Sequence, residues 1–276
     1  MLSHTTSPIL PQGCLWPCVI HRIPRCPSFL SSTALFRLRI RTLSGLLLQT
    51  LIFSMSYKIS ISPEEIEQLE PSSFPGKIKV IDNQGFEFLK AVSYLRRQKV
   101  IGFDTESRPC FSANQPHYGV SLLQLSGKER AFLFRVKLLG GIPKSLRKIL
   151  ASKEIIKVGA AVTDDVRGLK KHHDFEPKAF VDLQKMVWEY GIKDKSVKKM
   201  AAIILGVRIS KTQQLSNWEA DVLSDSQQAY AATDAWICRE MYYKLMASEK
   251  NPLTPEQMLP NPPKHTENDK DNIKER

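Results

Sequence analysis

The chain has 276 residues, with 40 Lys and Arg against 28 Asp and Glu, a formal charge of +12, 42% hydrophobic residues, 13 Gly and 17 Pro. Those proportions exclude a collagen, a long coiled coil and a wholly disordered chain, and the length suits one core of roughly 150 to 200 residues with extensions. Excess positive charge favours a polyanionic partner through long-range attraction and counterion release, without identifying it.

The charge is unevenly placed. No acid precedes Glu64, and Arg22, Arg25, Arg37, Arg39 and Arg41 give residues 1–54 five of the twelve charges, leaving seven for the rest. The same stretch holds Cys14, Cys18 and Cys26, and Pro8, Pro11, Pro17, Pro24 and Pro27 interrupt any long regular element. Cys110 and Cys238 follow, too few for a disulfide framework and without the paired spacing of a zinc site, so a reducing compartment fits and a cytoplasmic location is expected. Residues 1–54 admit three readings. Arg-rich, Ser-rich, acid-free composition resembles a transit peptide, which would place the protein in an organelle. The apolar run at 43–53 behind an arginine cluster resembles a signal or anchor, but the uncharged window 42–57 is shorter than the ~20 residues that span a bilayer. Thirdly, Met55 opens MSYKISISPEEIEQLE, where ordinary soluble composition begins, so 1–54 is upstream sequence outside the working protein. No stable membrane association is expected, and the oligomeric state is left open.

From Ser62 the segment SPEEIEQL predicts a capped helix, with Pro63 at its first position, inside a helical extension over 55–76. KIKVID at 77–82 alternates like a strand. Residues 85–97 carry the apolar spacing of an amphipathic helix at Phe86, Leu89, Val92 and Leu95. Short β-rich runs at 100–104, 120–125 and 131–136 predict an antiparallel meander. Helix and strand patterns then alternate: helix 144–151, strand 155–158, helix 164–172, strand 179–182, helix 183–190. Helices follow at 197–205 and 225–246, the latter capped by Ser224. The Pro-, Asn-, Lys- and Asp-rich tail, 249–276, is expected to be disordered.

Three groups of residues carry the chemistry. Asp104 and Glu106 in IGFDTES share one side of a strand end, where their repulsion is offset by a divalent cation or, more blandly, by solvent. Asp164 and Asp165 begin a helix, where capping explains Asp164. In QQAYAATDAWICREMY, Tyr230 and Asp234 are one turn apart on one helix face, among alanines that predict close packing against another element. Taken alone, Tyr230 also reads as a core aromatic.

In order, Asp104-Thr-Glu106, then Val158-Gly159 with Asp165 and Leu169, then Tyr230-Ala-Ala-Thr-Asp234 resemble the three motifs of the DEDDy 3′-to-5′ exonucleases, the family of RNase D and the Werner syndrome exonuclease domain. Lys211-Thr-Gln-Gln-Leu-Ser216-Asn217-Trp218 is similar to the family's Lys…Ser-(Asp or Asn)-Trp segment. The resemblance spans the globular body, taken as a 3′-5′ exonuclease domain over 77–248. It implies an α/β, ribonuclease H-like exonuclease fold with a mixed central sheet flanked by helices. It also implies two divalent cations, Mg²⁺ or Mn²⁺: Asp104 would bridge both, Glu106 and Asp234 would hold the one that activates water, and Asp165 would hold the second. Tyr230 would orient the attacking water. Lys211, Ser216 and Trp218 would sit near the terminal nucleotide of a DNA or RNA 3′ end, with Trp218 alternatively a core residue. Ser107 and residues 219–223 depart from the commonest pattern and leave substrate preference open.

Lys170, Lys171, Lys193, Lys195, Lys198, Lys199, Arg208 and Lys211 form a pool of phosphate contacts. His117, His172 and His173 lack ligand spacing. Two other readings compete with the nuclease: a catalytically inactive nucleic-acid-binding module of the same fold, and a nucleotide-binding α/β domain. The second has no phosphate-cradling glycine loop to support it.

Overall fold

The computed structural model describes residues 56–110 and 119–259; the expectations for residues 1–54, His117 and residues 260–276 lie outside these. Ser62 starts the first helix, α1 (Pro63–Glu67), through a reciprocal cap. Its hydroxyl accepts from the Glu65 N–H at 3.2 Å, and the Glu65 carboxylate accepts from the Ser62 N–H at 2.9 Å. Ile61 and Ile66 then bury against Ala202, joining this extension to the body.

Among the described residues six strands follow in chain order: β1 (Lys77–Ile81), β2 (Val100–Ser107), β3 (Val120–Ser126), β4 (Arg130–Arg135), β5 (Ile156–Gly159) and β6 (Phe180–Asp182). They form one mixed sheet in the order β1-β4-β3-β2-β5-β6. The meander β2-β3-β4 is antiparallel as expected, and the other pairs are parallel. Five strands therefore run one way, and β3 alone runs against them. Their carboxyl ends share one edge of the sheet, where the connecting loops and helix starts gather.

Helices α2 (Phe86–Arg96), α3 (Lys144–Leu150) and α4 (Val162–Lys170) connect β1 to β2, β4 to β5 and β5 to β6. They cover one face, burying Phe88, Leu95, Leu146, Ile149 and Leu169 against Ile101, Phe103, Leu123 and Phe134. After α5 (Leu183–Met186) and a 3₁₀ turn (Val187–Tyr190), α6 (Val197–Leu205) and α7 (Asp225–Met246) cover the other face. Among the described residues no helix is long and apolar enough to cross a membrane.

Two expectations are corrected. The buried face of α2 is Phe88, Ala91, Val92 and Leu95, whereas Phe86 and Leu89 are 70% and 60% exposed. Both sets satisfy helical spacing, and the Lys90 ammonium over the Phe86 ring, 4.0 Å from its centroid, stabilises that ring at the surface. The start of the tail is also ordered. Leu253 is buried, its N–H bonds to the Trp188 carbonyl at 2.9 Å, and Thr254 and Gln257 cap a short helix, α8 (Pro255–Met258). Composition averaged over 249–276 hid this single apolar anchor.

Candidate active site

Alternation along β2 sends Ile101 and Phe103 into the core under α2–α4, and places Gly102, Asp104 and Glu106 on the side of α7. Gly102 is there because the helix leaves no room for a side chain: a Cβ would lie 1.8 Å from the Ala235 carbonyl oxygen. Ala231, Ala232 and Ala235 are wholly buried at this crossing. The close approach sets Asp234 beside the strand, and ligand oxygens of Asp104, Glu106 and Asp234 all lie within 4.8 Å of one another. An irregularity in the β2–β3 register between Glu106 and Ser107 disrupts the pairing just past the acids.

Burial and mutual repulsion act together on these groups. Burial first, then the charges of Asp234, Asp165 and Glu106, hold the Asp104 carboxyl well above the usual range. Burial followed by Asp234 and Asp165 pushes Glu106 up to about 8. Asp234 rises to about 6 through burial, restrained by a hydrogen bond from Tyr230 and by the positive charge of Lys211. Tyr230 donates its hydroxyl to Asp234, and burial with the surrounding acids raises its phenol far above normal.

Asp165 arrives by another route. Thr105, which alternation turns away from α7, donates its hydroxyl to Asp165 Oδ1 at 2.6 Å and ties α4 to β2. Burial raises this carboxyl to about 6. The structure thus groups three of the expected acids and sets the fourth behind Thr105. Asp164 does not cap α4. The helix begins earlier, at a left-handed Ala161, and Asp164 is an exposed partner of Arg167 at 3.0 Å. Asp182 does the capping work nearby, accepting from the N–H groups of Ala161 at 3.1 Å and Gln184 at 3.0 Å.

A family model described as 3′-5′ exonuclease matches residues 80–248, the whole segment that builds this site. The chain belongs to the 3′-5′ exonuclease family. It is therefore of the nuclease, hydrolase class. Exonuclease 3′-5′ domain-containing protein 2 of Drosophila melanogaster is 34% identical over 150 residues, covering 53% of this chain and 25% of that protein. Ribonuclease D of Gluconacetobacter diazotrophicus is 26% identical, over 63% of this chain and 44% of its own length. The chain thus matches less than half of each of these relatives. In fold it resembles the Aedes aegypti Nibbler EXO domain (TM-score 0.55, 22% identity, 63% of this chain and 90% of that one). It also resembles Escherichia coli RNase D (TM-score 0.55, 22% identity, 62% of this chain and 44% of that one). The expected ribonuclease H-like exonuclease fold is the one observed.

Within the exonuclease domain, the segment before α7 takes the core alternative for its tryptophan. Lys211 is exposed and its charge reaches Asp234. Ser216 is half-buried and donates to the Gln213 side chain. Trp218 is fully buried among residues including Leu122 and Leu133, its ring 5.9 Å from that of Tyr230, so it backs the tyrosine and has no surface to offer a nucleotide. Several of the pooled cations are engaged with the protein. Lys170 pairs with Asp174, Lys199 with Asp194, Lys198 and Arg208 with Glu67, and Lys193 donates to the Leu259 carbonyl. His173 Nδ1 accepts from the Ile142 N–H at 3.0 Å, a structural role.

Sequence reasoning missed three contributors. Besides Thr105, Arg135 donates to the Ala220 and Asp221 carbonyls at 2.6 and 3.3 Å, anchoring the loop that carries Trp218. Gln124 is 1% exposed, pairs across the strands with Asp104 and Leu133, and neither polar atom of its amide has a hydrogen-bond partner among the described residues. An amide inside the apolar run VSLLQLS was the available signal.

Proposed function

We propose that the domain is a metal-dependent exonuclease that removes nucleotides one at a time from a nucleic-acid 3′ end, releasing nucleoside 5′-monophosphates. The observation that carries this reading is the cluster of Asp104, Glu106 and Asp234, drawn from β2 and α7 into one 4.8 Å group. Three half-buried carboxylates repel one another unless protonated or joined by a cation, and hard oxygen donors suit Mg²⁺ or Mn²⁺. Asp104, Glu106 and Asp234 would hold one cation, and Asp104 with Asp165 a second.

Bound there, such ions would acidify a water and offset the charge developing on the phosphate and the leaving 3′ oxygen. The attacking oxygen bonds to phosphorus as the P–O3′ bond breaks, leaving a new 3′ hydroxyl on the shortened strand. Tyr230 orients the incoming water. Its phenol is no general base, because burial and the neighbouring acids make it harder still to ionise. Lys211 adds positive charge where a phosphate would lie. The Trypanosoma brucei RNase D solved as a complex with RNA U12 has the same fold (TM-score 0.54, 22% identity, 64% of each chain), which supports a nucleic-acid substrate.

The test uses 5′-labelled single-stranded DNA, recessed duplex DNA and RNA in Mg²⁺ or Mn²⁺. A ladder of single-nucleotide steps from the 3′ end is expected, with turnover falling about 1,000-fold or more in Asp104→Ala and Asp234→Ala. A wild type that degrades none of the three, or variants that match it, would replace this reading by the inactive binding module.

A further inference from the structure

The helices α2 and α3 leave β1 and β4 at the sheet edge where β2 ends, and together they cover the face opposite the one toward which Asp104 and Glu106 point. Between the two helices runs a groove of about 580 Å³. Gln84 and Lys144 line the end nearest the carboxylate edge, Lys148 its middle, and Arg96, Ser152 and Glu154 its far end. At 1.5 Å per residue the eleven residues of α2 give it a length of roughly 16 Å.

Arg96, Lys144 and Lys148 form no ion pair and no side-chain hydrogen bond among the described residues, whereas Lys79 and Lys90 share Glu87 nearby. Arg96 and Lys148 stand in last turns, where a cation suits the helix dipole. Lys144 does not: it opens α3, a helix with no acid in its first turn, so its charge opposes the dipole. Three cations face one concavity with Glu154 as the single acid in its lining, so their mutual repulsion is only partly offset, and a polyanion removes the rest. Besides Ile149 and Ile155 the lining offers charge, hydroxyls and the Gln84 amide, with no aromatic ring on which a base could stack.

We propose that this groove binds the phosphodiester backbone of a strand that crosses the carboxyl edge of the sheet and whose 3′ end enters the carboxylate site. The inference rests on the nuclease reading for the direction of the strand. Its contacts are with phosphates, so they supply affinity without sequence preference. Glu154, the acid in the lining, sets the far limit of the contact.

Binding of long oligothymidylate and oligouridylate strands to the full-length protein is measured in EDTA, by fluorescence anisotropy, between about 50 and 200 mM salt. The groove variant carries Arg96→Gln, Lys144→Gln and Lys148→Gln. A control of equal net charge carries Lys58→Gln, Lys128→Gln and Lys244→Gln. Three lost contacts at about 0.7 each lower the single-strand salt slope by roughly 2, which is on the order of 100-fold weaker binding near 0.1 M salt. The control is expected to stay close to wild type, and the groove variant should hydrolyse a dinucleotide, too short to reach the groove, at the wild-type rate. Melting curves verify that both variants are folded. A groove variant that binds like the control overturns the proposal and leaves the nuclease reading intact. Loss of binding in a protein that hydrolyses nothing upholds the groove while the nuclease reading fails. The strand type showing the larger loss distinguishes DNA from RNA.

Discussion

Tyr230 stands one helical turn before Asp234, gives that carboxylate its hydroxyl hydrogen, and rests its ring against buried Trp218. Tyr230→Phe keeps the ring and removes the hydroxyl. Turnover is expected to fall roughly 100-fold with KM nearly unchanged, in steady-state assays on a short strand. The acids make a second prediction. Folded values near 6 for Asp165 and Asp234, about 8 for Glu106, and a raised Asp104 all exceed the unfolded values of about 4. Their protonated forms therefore favour the fold. That contribution is complete below about pH 4 and is lost as pH rises through 6 to 8. Without metal the melting temperature should decline across this window, and less so in Asp104→Asn. A cation must displace those protons, so the melting shift produced by Mn²⁺ should be larger at pH 8 than at pH 6. Equal shifts would mean that the acids do not bind it. At this scale the sequence displayed the acids and the tyrosine, because each pair lies within one strand or one turn. Thr105 and Gln124 were invisible as partners, since their roles depend on which strand and which helix come to lie beside them.

At the scale of elements, the central helix α7 was legible to the residue, Asp225–Met246 behind Ser224, because a capping box with Gln227 fixes its start. Helix α4 was read two residues late because its first turn is set by Ala161 in a left-handed conformation, which no propensity favours. The strand β2 was read short, at the acids, although pairing with β3 carries it on to Ser107. Least visible was the crossing of β2 and α7. Gly102 in a strand looks like a weakness until the Ala235 carbonyl is placed against it. Gly102→Ala forces that carbonyl away, and a loss of about 3 kcal/mol or more is expected in urea denaturation. Whatever folds should have weakened affinity for Mn²⁺, because the displaced helix carries Asp234. A variant with wild-type stability and metal affinity would show that the crossing is looser than described.

Across the whole molecule, site and periphery separate. The peptide around Leu253 docks on the Trp188–Lys193 segment and forms none of its hydrogen bonds there with the acids. A chain ending after Lys250 loses one buried leucine and a few hydrogen bonds, about 2 kcal/mol in chemical denaturation, with activity per folded molecule unchanged. The overall charge also divides. Five of the twelve excess positive charges belong to residues 1–54, and several lysines of the body are spoken for by acids, so net charge overstated the free positive surface. The α2–α3 groove could not be read from sequence, because its cations come from two helices separated by three strands.

The chain order of the site acids has a consequence for biosynthesis. Asp104 and Glu106 emerge early, whereas Asp234 follows Asp104 by 130 positions on the helix that covers them. A nascent chain that has completed the meander holds two carboxylates of the cluster, without the third, without Tyr230 and without Trp218 behind it. On the proposed function, a chain that stops short of α7 would therefore lack a complete metal-binding cluster. Competence to cut would then arrive only with the docking of α7, so a partly made chain would be harmless to any nucleic acid near it until that helix folds into place.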